Sequence, residues 1–116
     1  MPERNLKLFL KDILASVQKI QKYIRGKSYK EFTNDSLLVD GVVRNLEVIG
    51  EAVKNMPLAF REKHLGIEWK KMAGLRDMLI HEYFGVDYEI LWDIVKNKIP
   101  RLNRQLRTIL KEETYD

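Results

Sequence analysis

Apolar residues recur every three or four positions along nearly the whole chain, the spacing that keeps one face of an α-helix apolar. In the first segment the stripe runs through Leu6, Phe9 and Leu10, Ile13, Val17, Ile20 and Ile24. Gly26 closes it, and Arg25 sits in the final turn, where a cation suits the negative end of the helix dipole. A short turn, SYKEF, leads to TND, which offers an N-cap for a second long helix. That helix carries Leu38, Val42, Leu46, Ile49 and Val53 on one stripe and stops at Pro57. LAFREKH predicts a brief helical piece before Gly66, and a third helix follows from about Glu68 or Trp69 to Tyr83, with Gly85 as its stop. Asp87 reads as the N-cap of a last long helix, with Glu89 in its first turn. Its stripe of Leu91, Ile94 and Val95, Ile99, Leu102, Leu106, Ile109 and Leu110 keeps phase across Pro100. The pattern therefore predicts one helix kinked at Pro100 rather than two. No alternating strand pattern, internal repeat or low-complexity tract interrupts the series. The expected architecture is all-α, an up-and-down bundle of about four main helices forming a single domain over residues 1–116.

Composition narrows the setting more than the function. The 116 residues are 45% hydrophobic and 33% charged, enough for a core without covalent staples. There is no cysteine, which removes disulfide frameworks and thiolate metal sites. The N-terminal MPERNLKLFLKDIL carries charges where a signal peptide would be apolar, and no stretch approaches the ~20 apolar residues that cross a bilayer. A cytoplasmic protein without membrane contact is expected. The net charge of +4 is mild. Lys and Arg are spread along the chain, and a nucleic-acid partner or plain solvated helix faces would explain them equally well.

The chemistry concentrates in RDMLIHEYFG, residues 76–85. On a regular helix Arg76 and Tyr83, seven positions apart, share a face, whereas His81 lies about 140° round from Arg76. Asp77, four residues before His81 and only ~40° from it, is placed to hydrogen-bond one ring nitrogen and fix its tautomer. One straight helix cannot aim Arg76 and His81 alike. Convergence would need long side chains reaching round, unwinding near Gly85, or a second subunit. The bland reading keeps its place here: a histidine near a helix end is commonly a satisfied surface group, and Met78, Leu79 and Ile80 are simply core.

The segment resembles the Arg-x4–6-His-x-Tyr signature of the HepT toxin branch of the HEPN domains, carried here by Arg76, His81 and Tyr83. The similarity extends to RNLEVIGEAVKNMP (44–57) and IEWKKMAGLRDMLIHEYFGVDYEILWDIVKNKIPRLNRQL (67–106), and covers most of residues 36–110. The resemblance implies a HEPN-like bundle and a metal-independent endoribonuclease working as a homodimer, in which two copies place their motifs about one cleft. It assigns His81 to general acid/base catalysis and Arg76 to stabilising the phosphorane, with Asp77, Arg44 and Glu51 in support. It also implies a toxin held in check by a nucleotidyltransferase antitoxin that attaches AMP to Tyr83. No cofactor or metal is implied, and RNA is the substrate. Beside these stand plainer readings. Arg44, Glu47 and Glu51 form a solvated network at helical spacing, Tyr83 is a dimer-interface aromatic, and Trp69 and Trp92 are core or interface anchors. His64 receives no role. A rival of another class is a non-catalytic module that binds a nucleotide, or partners a nucleotidyltransferase, with Arg76 as its phosphate clamp. A third is a purely structural bundle.

Overall fold

A computed structural model describes residues 3–82 and 87–113. These residues are helical throughout apart from short connections, and no strand occurs among them. The long elements are α1 (Glu3–Ile24), α3 (Ser36–Lys54), α5 (Trp69–Glu82) and a continuous helical run from α6 (Tyr88–Asp93) through a π turn (Ile94–Lys98) into α7 (Ile99–Glu113); α2 (Tyr29–Thr33) and α4 (Leu58–Lys63) are short links. The all-α expectation holds, with four long helical elements as the periodicity implied.

Local chemistry sets most of the boundaries. Gly26 takes φ +73 after α1, a left-handed conformation that a side chain would strain. Asp35 caps α3 by accepting from the Leu38 amide at 3.0 Å, and Asp87 caps α6 by accepting from Glu89 at 2.7 Å. SYKEF is more than the expected turn. Ser28 and Glu31 form a reciprocal capping box, so the segment winds into α2 and buries Phe32. The Ser28 amide and hydroxyl hold the Glu31 carboxyl below its usual range.

The irregularity expected at Pro100 lies just before it. Proline lacks an amide hydrogen and its ring crowds the carbonyl four residues back, which here belongs to Lys96. The π turn widens the helix over that stretch, and the Ile99 amide reaches back to the Ile94 carbonyl. Leu91, Val95, Ile99, Leu102 and Leu106 consequently all remain buried.

α3 lies between α1 and α5, and α1 also packs on α7. This central place explains why α3 buries residues on two sides, with Val42, Leu46, Ile49 and Val53 fully enclosed. Leu46→Ala is expected to cost about 2–5 kcal/mol, because the surrounding helices can close only part of the cavity. A denaturant titration that finds less than about 1 kcal/mol would contradict this packing.

The start of α5 is pinned from two directions. The Trp69 indole donates to the His64 carbonyl at 2.8 Å, and the Gln105 amide of α7 donates to the Gly66 carbonyl at 2.7 Å. Lys98 of the π turn reaches Glu68 at 3.4 Å. Trp69 is buried and Trp92 packs against Phe32, so both tryptophans act as packing anchors. Among the described residues no helix is long and apolar enough to cross a membrane.

Candidate active site

α5 buries Trp69, Met72, Leu75 and Leu79, and this apolar face meets α3. Arg76 follows Met72 by four positions, so it emerges at the edge of the same contact. What allows the approach is Gly50 on α3. A Cβ built there would lie 2.8 Å from the Arg76 backbone nitrogen, 3.0 Å from the Arg76 Cβ and 3.2 Å from the Met72 carbonyl oxygen. Real Cβ atoms do not come so near a backbone atom, so glycine is what permits α3 and α5 this spacing.

The residue after Gly50 then receives the guanidinium. Arg76 Nε lies 2.6 Å from Glu51 Oε2, a close ion pair. The Arg76 side chain is 37% exposed and that of Glu51 is 51% exposed, so the pair contributes at most about 1 kcal/mol of stability. Its stronger effect is on orientation. With Nε engaged, the two terminal nitrogens remain as donors. Asp77 Oδ1 stands 3.8 Å from Nη1, too far for a hydrogen bond, and Lys54 Nζ sits 3.7 Å from the same carboxylate oxygen and offsets its charge.

Arg76 opens onto a groove of about 460 Å³ between α1, α3 and α5. Its floor is a helical stripe of α3 that includes Arg44, Glu47, Glu51 and Asn55, while Phe9 and Asp12 of α1 form the opposite wall. Arg44 and Glu51, given supporting roles by the resemblance, thus share one groove with Arg76. Glu51 contacts Arg76 directly; Arg44 lies two helical turns away, with no ion pair among the described residues. Asp77 faces Lys54, outside the groove lining. His81 falls on the last described turn of α5, but its side chain, and with it any contact to Asp77, lies outside what the structure describes. Tyr83 also lies outside the described residues.

Gly50, Lys54, Asn55, Phe9 and Asp12 were not among the residues picked out as the site in the sequence. Gly50 was the one with a visible signal: a glycine in mid-helix lowers helix propensity and calls for a packing reason.

The arrangement offers a fixed, permanently charged guanidinium at the mouth of a groove, on the same helix as an imidazole. That is a phosphate-handling inventory. The chain matches the family model described as "Ribonuclease HepT-like" over residues 13–109. A protein of Caldanaerobacter subterraneus subsp. tengcongensis named as a "Putative RNase" is 47% identical over 105 residues, 90% of this chain and 94% of that protein. One so named from Methanocaldococcus jannaschii is 46% identical over 112 residues, 97% of this chain and 93% of that protein. "Probable ribonuclease HepT" of Thermococcus cleftensis is 40% identical over 109 residues, covering 94% of this chain and 99% of its own. No solved structure matches the chain.

Proposed function

The chain belongs to the HepT-like ribonuclease family, and from that premise we propose that it is a metal-independent endoribonuclease whose Arg76 and His81 act on a single phosphodiester. The observation that carries the proposal is Arg76, held at Nε by Glu51 with its terminal nitrogens left for a phosphate. Cleavage proceeds by transesterification. An imidazole takes the 2′-hydroxyl proton as the 2′-oxygen attacks phosphorus, and the 5′-oxygen leaves and takes up a proton. The products are a 2′,3′-cyclic phosphate end and a 5′-hydroxyl end, so atoms balance without water. An imidazole, whose ordinary pKa lies near neutral, suits the proton transfers assigned to His81. Arg76 meets the charge that builds on the equatorial oxygens.

The divergence of about 140° between Arg76 and His81 on one helix supports a homodimer with the two motifs facing one cleft. In this reading the protein is a toxin. Its antitoxin is a nucleotidyltransferase that moves AMP from ATP to the Tyr83 phenol with release of pyrophosphate. The added phosphate would occupy the charge that RNA requires.

The test uses protein made alone and protein made together with a candidate nucleotidyltransferase. Unmodified protein is expected to cut RNA in excess EDTA and leave cyclic phosphate ends. Co-produced protein is expected to gain mass in whole adenylyl units, to lose cleavage, and to show neither change when Tyr83 is phenylalanine. Protein free of partner that cuts no RNA under any condition removes the enzymatic reading. RNA binding that persists through His81→Ala, without cleavage by the intact chain, favours the non-catalytic module.

A further inference from the structure

The groove at Arg76 has a chemically mixed lining. Glu51 is tied to Arg76. The lining adds Asp12 and Glu47, which repel a phosphate, and Phe9, an aromatic ring. The other cation in the lining is Arg44, which is exposed and has no ion-pair partner among the described residues. Arg44 and Glu51 are seven residues apart on α3, about 10 Å along the helix axis. Since Arg76 is anchored on Glu51, the two arginines stand at either end of a stretch of α3 that includes Glu47. About 460 Å³ is room for one nucleoside.

On the reading of the protein as a ribonuclease, we propose that Arg44 forms a second phosphate subsite. The scissile phosphate sits at Arg76, a neighbouring phosphate of the same single strand sits at Arg44, and the intervening nucleoside lies along the groove against Phe9. The carboxylates confine phosphate to the two ends, so Arg44 sets the register in which the strand is presented. A single strand fits this groove because its bases can turn from their neighbours toward an aromatic wall. Arg44 is a binding and positioning residue in this scheme, not a catalytic one.

The experiment measures binding of a fluorescein-labelled 2′-O-methyl oligoadenylate 12-mer, which lacks the attacking hydroxyl and survives the assay. Anisotropy titrations over a range of salt concentrations give the slope of log K against log salt. Each phosphate neutralised on a single strand contributes about 0.7 to that slope. Arg44→Ala is expected to bind more weakly at low salt, with a slope shallower by about 0.7, and Arg44→Lys to restore most of it. Arg107→Ala removes an equal charge from the exposed side of α7 and is expected to keep the slope of the unaltered protein. An Arg44→Ala slope indistinguishable from that of the unaltered protein, or one matched by Arg107→Ala, overturns the subsite. If the intact protein binds this oligomer with the expected Arg44 dependence yet cuts no unmodified RNA, the subsite stands and the ribonuclease reading falls. If the intact protein does not bind the oligomer at all, the subsite falls as well.

Discussion

Arg76→Ala is expected to slow RNA cleavage by about 10²–10³, the usual loss when one fixed donor to a developing phosphorane charge is removed. His81→Ala is expected to cost about 10²–10⁴ by removing a proton carrier. The Arg76 substitution should barely move thermal unfolding. Its pair with Glu51 is half exposed, and pairs of that kind stabilise by about 0.2–1 kcal/mol. A large rate loss with an unchanged melting curve is the signature to look for. Arg76→Lys should fall between the two, because an ammonium cannot hold Glu51 through one nitrogen and present two more to a phosphate. Mixing separately inactive Arg76→Ala and His81→Ala subunits tests the dimer directly. If each cleft draws groups from both copies, the mixed dimer regains activity above either parent. If one subunit's own arginine and histidine suffice, the mixture stays dead. Full activity in Arg76→Ala would refute its assigned role.

Gly50→Ala should separate geometry from stability. The added methyl meets the Arg76 backbone nitrogen at 2.8 Å and the Met72 carbonyl at 3.2 Å, and neither can swing aside as a side-chain tip would. α3 and α5 must shift apart. Overpacking of this kind costs about 1–3 kcal/mol, and alanine's better helix propensity returns about 0.5–1 kcal/mol. The net destabilisation is therefore modest, on the order of 1 kcal/mol. Activity should suffer more than stability, since displacement of a positioned group by about 1 Å can cost 10²-fold in rate. Leu46→Ala supplies the control. It destabilises the same helix more, yet leaves the α3–α5 approach at Arg76 without a new atom. Assayed where both variants are folded, Gly50→Ala should be the slower enzyme. Equal activities would reduce Gly50 to an ordinary packing residue.

Much of the fold was legible because it is written in local chemistry. Gly26, Asp35, Pro57 and Asp87 act on neighbours within a few residues, and a three-to-four spacing names the side of each helix that avoids water. The capping box of Ser28 and Glu31 was equally local, and its two residues were present to be read. The π turn left no such trace, since the steps of four from Leu91 to Val95 to Ile99 recur in the regular α3 from Leu38 to Val42 to Leu46. The candidate site was visible in the sequence as residue types at a spacing, of which the structure describes the surroundings of Arg76 and not those of His81 or Tyr83.

Periodicity does not say which helix an apolar stripe will meet, or at what height. Arg76 and Glu51 lie 25 positions apart in the chain. Whether their side chains touch depends on the lateral register of α5 on α3, which no local pattern encodes. The helix-to-helix approach at Gly50 and the tethering of residues 64–68 to α7 and α5 fix that register together. The sequence by itself determined the four long helical elements and most of their ends, while the expected stop of the third at Tyr83 and Gly85 lies outside the described residues. Only the tertiary structure decided that Arg44, Glu51 and Arg76 share one groove, because burial is a property of a face, whereas a site is a property of how faces from distant segments are held against one another.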